Sequence, residues 1–158
     1  MAAQPPPGRF PALATHNLDG AAVTVPDDLP GPADLVVLAF RRRQQADVDG
    51  WRAAVATDWR EGLGFWEVPV IGRGWGPLRG WIDGGMAGAI GNPEIRAHTL
   101  TVYTDVGVVQ RALGIAGSGA VVAILVVDGE VRWQTTGAVD PARLAGLRSA
   151  LDRVAPGG

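Results

Sequence analysis

The sequence predicts an α/β protein with a mixed central sheet flanked by helices. Three observations carry this. Short apolar runs at Leu35–Phe40, Phe65–Ile71 and Val121–Val127 have strand length. Helical stripes alternate with them, and an Asp-Gly pair sits inside a hairpin pattern near each end of the chain. Alternation of strand and helix implies parallel crossovers, and a hairpin in the same sheet makes it mixed.

At 158 residues the chain is of single-domain size, enough to bury roughly 70% of the surface that its unfolded form exposes. We expect residues 1–9, which are proline-rich, to be a leader, and 10–158 to be one domain. Leu13–Asn17 and Ala21–Val25 read as a hairpin across Leu18-Asp19-Gly20. Leu35–Phe40 is apolar at successive positions, as a central strand covered on both faces must be. The polar stretch Arg41–Gln45 then breaks the run. A helix is expected from Ala46 or Asp47, with Val48, Trp51, Val55 and Trp59 as its apolar stripe and Gly62 as its stop. In Phe65–Ile71, Pro69 argues for an edge strand or an irregular end.

Residues 72–91 form a Gly- and Trp-rich insertion. Trp75, Leu78, Trp81, Ile82, Met86, Ala89 and Ile90 fit a helical stripe, but Gly80, Gly84, Gly85 and Gly88 within it each cost about 1 kcal/mol relative to Ala in a helix. His98–Tyr103 alternates as a strand, and Asp105 should cap a short helix that ends at Gly114. Val121–Val127 turns through Asp128-Gly129 into Glu130–Gln134. Asp140-Pro141 then opens a last helix lined by Leu144, Leu147, Leu151 and Val154.

Composition excludes more than it suggests. The chain contains no cysteine, which removes disulfide exchange, thiol peroxidase chemistry and thiolate metal sites together. All 14 basic residues are arginine and there is no lysine, so Schiff-base catalysis on lysine is also excluded. Two histidines cannot make a histidine-rich metal centre, and no cofactor is expected. A net charge of −2 gives no global attraction to nucleic acid. Nothing approaches the ~20 apolar residues of a membrane span, and the first residues lack a secretory pattern. A cytoplasmic location is the expectation, with peripheral membrane contact still compatible.

The order of elements, with PALATHNLDG at Pro11–Gly20, the strand Leu35–Phe40, Tyr103-Thr104-Asp105 leading to Leu113-Gly114-Ile115, and ILVVDGEVRW at Ile124–Trp133, resembles the thioredoxin-like superfamily in its peroxiredoxin-type form. More narrowly, Trp51, the Tyr-x-Asp and the Asp-Gly hairpin followed by Gly137 resemble cysteine-free relatives of the mitochondrial ATP-synthase assembly factor. The resemblance covers residues 10–154. It places the usual thiols near Gln45 and Val48, and the usual cis-proline near Ala120–Val122, where this chain has no proline. Both halves of a redox site are missing, so the resemblance does not carry redox activity with it.

The candidate binding residues follow. Arg41, Arg42 and Arg43 at a strand end suit carboxylate or phosphate, although such arginines also form ordinary solvated rims. Gln45 occupies a thiol position. Asp47 and Asp49 could act as acids, but a helix first turn favours carboxylates for its own sake. Trp75, Arg79, Trp81 and Met86 have the composition of a partner-binding surface. His98, with Arg96 or Asp105, could do acid–base work, and a structural histidine is the plainer reading. The preferred expectation is a non-redox module that binds a protein or peptide. The alternative is a small-molecule binder or non-thiol enzyme built from Arg43, Asp47, Arg96 and His98.

Overall fold

The computed structural model describes residues 8–17, 19–29, 33–57, 63–71, 97–103, 105–117 and 119–154. Seven strands form one mixed sheet: β1 (Leu13–Asn17), β2 (Ala22–Val25), β3 (Ala33–Ala39), β4 (Leu63–Ile71), β5 (Leu100–Tyr103), β6 (Val122–Val127) and β7 (Glu130–Thr136), in the order β2-β1-β5-β4-β3-β6-β7. Among the described residues three α-helices flank it: α1 (Gln45–Thr57), α2 (Val106–Leu113) and α3 (Pro141–Val154). β3, β4 and β5 run parallel, while β6 returns antiparallel to β3 and pairs with β7 through the second hairpin. This is the predicted α/β architecture.

The alternation of side chains along β3 divides the core between two faces. Val36 and Leu38 join Trp66, Val68, Leu100, Ile124, Val109 and Leu113 on the α2 side. Leu35 and Val37 join Val48, Trp51, Val55, Leu125, Leu147 and Leu151 under α1 and α3. Every residue from Asp34 to Ala39 is buried, as the unbroken apolar run requires.

Local signals explain the ends of the elements. Gly20, at φ +91°, closes the first hairpin, and Asn17 Oδ1 accepts from the N–H groups of Asp19 and Ala21. Asp105 accepts from Gly107 N at 2.8 Å as the cap of α2. Gly114, at φ +67°, ends that helix in a left-handed residue, with Ile115 N donating to Gln110 O. Asp140 Oδ1 accepts from Arg143 N at 2.7 Å at the start of α3.

Four expectations change. The chain after β3 forms a 3₁₀ turn at Arg42–Gln44, and α1 begins at Gln45 rather than at Ala46 or Asp47. Asp49 does not cap: it accepts from Gln45 Nε2 at 3.1 Å and pairs with Arg52 at 2.8 Å. His98 precedes β5 as a turn residue, so the strand is shorter than His98–Tyr103. Finally, β4 is interior, lying between β3 and β5.

An interior proline must sit where a rung is missing, and Pro69 does. Glu67 N donates to His98 O, so the N–H groups of alternate β4 residues face β5. Pro69 is next on that side and has no N–H to give. The pairing is interrupted there, between the isolated bridge Glu67↔Thr99 and the pairs Val70↔Val102 and Ile71↔Tyr103. The irregular end is real, whereas the edge position is not. The helix stop at Gly62, Trp59 and the whole 72–91 insertion lie outside the described residues.

Candidate functional site

The polar turn lies where β3 ends and α1 begins, at the carboxyl end of parallel strands, where open α/β sheets bind their ligands. Gln44 builds it. Its side chain is buried, and Oε1 accepts from Phe40 N at 2.8 Å and Arg41 N at 3.2 Å. With Gln44 N donating to Arg41 O, the backbone is closed on itself and Arg41 and Arg43 are turned outward, both exposed. Gln45 and Asp47 are half-buried in the first turn of α1, and Val48 lies in the core. One of the two positions where thiols would be expected is therefore packed apolar volume.

A chain of contacts runs inward from this turn. Gln45 binds Asp49, Asp49 binds Arg52, and Arg52 donates through its second nitrogen to Glu67 Oε1. The Arg52 guanidinium also lies 5.3 Å from the Phe65 ring centroid. Glu67 is fully buried in the middle of β4, and its Oε2 has no hydrogen-bond partner among the described residues. On the same face of β5, the buried Thr101 hydroxyl likewise has no partner among the described residues. The sequence shows this centre as one acid inside the apolar run Phe65–Ile71, a signal that periodicity arguments pass over because a single polar residue does not disturb a strand pattern.

A second polar pair sits on the opposite face. Asp34, near the start of β3, is buried and accepts from the Trp66 indole N–H at 2.9 Å. The His98 ring stacks on Trp66 at 4.3 Å between centroids. Gly64 makes room: a Cβ there would collide with the Asp34 carboxylate and lie 2.9 Å from Trp66 Nε1. Burial raises the Asp34 pKa above the usual carboxylate value, with the Trp66 hydrogen bond and the charge of His98 opposing it. The folded state therefore holds this proton more tightly than the unfolded chain, and ionising Asp34 weakens the fold as pH rises through its raised value. Asp34→Asn keeps an acceptor for Trp66 and removes the charge. It is expected to unfold at no lower urea than the parent at pH 7, with the gap closing as pH falls into the carboxylate range. A parent more stable than the variant at pH 7 would contradict this.

The structure does not gather all the expected residues into one cluster. Arg41, Arg43, Gln45 and Asp47 share the turn. His98 belongs elsewhere: it packs on Trp66, which is level with Val36 in the middle of β3, on the face away from α1. Asp105 is committed to capping α2, so the His98 carboxylate neighbour is Asp34. The Arg42 side chain, and Trp75, Arg79, Trp81, Met86 and Arg96 altogether, lie outside the described residues. Among the described residues no group of His, Asp or Glu could hold a metal ion, and no helix is long and apolar enough to cross a membrane.

The fold on which these residues are mounted is thioredoxin-like. BsSco, a member of the Sco family of cytochrome c oxidase assembly proteins, superposes with a TM-score of 0.55 at 14% identity, over 94% of this chain and 96% of that one. The exposed lipoprotein thioredoxin Etrx1 of Streptococcus pneumoniae gives 0.55 at 12% identity, over 91% of this chain and all of its own. A hypothetical protein from Sinorhizobium meliloti gives 0.57 at 16% identity, over 97% and 85% of the two chains. No protein-family model and no curated protein matches the sequence.

Proposed function

We propose that this chain is a non-redox thioredoxin-fold module that binds a protein or peptide at the turn after β3. The observation that carries the reading is the turn itself. It lies at the carboxyl end of the parallel strands, is fixed by a buried glutamine, and presents Arg41 and Arg43 outward just before the helix whose first turn holds Gln45, one of the positions expected to carry a thiol. Guanidinium forks beside a helix N-terminus suit the carboxylates of an extended acidic segment. The proposal counts Trp75, Arg79, Trp81 and Met86 of the 72–91 insertion among the binding residues, on their composition alone.

An assembly role like that of the ATP-synthase assembly factor relatives is the finer form of this reading. Two of the residues that carry the likeness are in contact: Trp51 Nε1 donates to Gly137 O at 3.0 Å, joining α1 to the end of β7. The turn is thus anchored to the second hairpin through the core. Sco, an assembly protein on the same fold, offers an analogy of architecture alone.

Binding of acidic and neutral extended peptides to the immobilised protein tests the proposal. Acidic peptides are expected to bind in a salt-sensitive way, and the Arg41→Ser/Arg43→Ser variant to lose at least tenfold in affinity with its fold unchanged by circular dichroism. Equal retention of acidic and neutral peptides, or no effect of the double substitution, would sink the reading.

A further inference from the structure

Two stripes of side chains leave the turn along α1, and only one of them is spent inside the protein. The inner stripe is Gln45, Asp49 and Arg52, linked in series and ending on Glu67. The other runs from Arg43 in the 3₁₀ turn to Asp47 in the first turn of α1. Residues four apart on a helix are neighbours, about 5–6 Å between Cβ atoms. Arg43 is exposed and Asp47 half-buried, and neither has a hydrogen bond or ion pair among the described residues. Beyond Asp47 the stripe reaches Gly50, where a Cβ would lie 3.5 Å from Val139 Cγ1. It therefore ends against the connection between β7 and α3, and its open end is the turn.

We infer that Asp47 sets the charge order of the segment bound at the turn. The inference rests on the peptide-binding reading of that turn and names its partner more closely. Acidic side chains face Arg41 and Arg43, and a basic side chain follows them to meet Asp47. Alternate residues of an extended segment share a side and lie about 6.6 Å apart, close to the spacing of the Arg43–Asp47 pair. A carboxylate in a first turn suits the helix for its own sake, but its charge still acts on whatever lies beside Arg43. An acid reaching past Arg43 is repelled there, and a lysine or arginine is attracted. Charge patterns of this kind select partner and register more than they add affinity. Asp49 cannot take this part, because Gln45 and Arg52 already hold its carboxylate.

Three end-capped peptides test this on the whole chain at constant ionic strength: Glu-Ala-Glu-Ala-Lys, Glu-Ala-Glu-Ala-Glu and Glu-Ala-Glu-Ala-Gln. Each is also measured in reversed order, and the tighter order is compared. The parent is expected to prefer the lysine peptide to the all-glutamate one by about three- to tenfold, exposed ion pairs being weak. The glutamine peptide should fall between them. Asp47→Asn is expected to bring all three together, and Asp47→Lys to reverse the preference, each with the parent's circular dichroism. Equal binding of the three peptides by the parent, with the effect of Arg41→Ser/Arg43→Ser intact, would overturn the inference and leave the turn as the binding site. A lysine preference that survives in Asp47→Asn would overturn it as well. Retention of none of the peptides would remove the binding turn and the inference together.

Discussion

Replacing Trp51 by Ala is expected to remove most of the stability of the protein. The side chain is fully buried among Leu35, Val37, Leu125 and Leu147, meets Trp133 edge-on at 6.3 Å between centroids, and donates to Gly137 O. Truncating a buried tryptophan costs about 3–5 kcal/mol, and leaving the Gly137 carbonyl without its donor adds about 1–3 kcal/mol. Set against the 5–15 kcal/mol typical of a domain, the variant should unfold at a small fraction of the parent's urea midpoint, read by circular dichroism. Trp51→Phe keeps an aromatic ring while losing the hydrogen bond and part of the indole volume, so its midpoint should lie between the two. Equal midpoints for the Ala variant and the parent would mean that the α1–β7 junction does not stabilise the fold.

The second large effect is expected at Arg52. Alanine there leaves Glu67 fully buried with neither oxygen paired among the described residues, since Oε2 already lacks a partner there. Breaking one side of a buried ion pair costs about 3–5 kcal/mol. The Arg52 side chain is 23% exposed, so water reaches the pair and the lower end applies. The decisive comparison is the Arg52→Met/Glu67→Leu double variant, which removes both charges and refills their volume. Its urea midpoint should return to the parent's or exceed it, because buried pairs seldom outperform well-packed apolar residues. A double variant as unstable as Arg52→Ala alone would show that packing, not charge, dominates.

These two residues mark how far the sequence could be read. Trp51 was legible because a helical stripe needs several residues to agree, and Val48, Trp51 and Val55 all do. The strands β3 and β6 were legible for the same reason, and the Asp-Gly hairpins because their turn chemistry is local. Arg52 and Glu67 were not, because their partnership joins residues fifteen apart on different elements. Pairings of this kind leave no periodicity. Gln44 was hidden beside Gln45: two adjacent glutamines look alike in sequence, yet one folds back as a backbone clamp and the other faces outward from the helix. Pro69 shows the converse error. A proline in a strand signals a lost rung, and an edge position is only one way of losing it.

That lost rung has a consequence for how the molecule comes apart. Among the described residues the β4–β5 seam is held by two register pairs and one bridge, whereas β3 and β4 pair over seven consecutive residues. Amide hydrogen exchange is expected to show lower opening free energies in β1, β2 and β5 than in β3 and β6, on the far side of that seam. Pro69 is the perforation between them, set into the strand that carries Glu67.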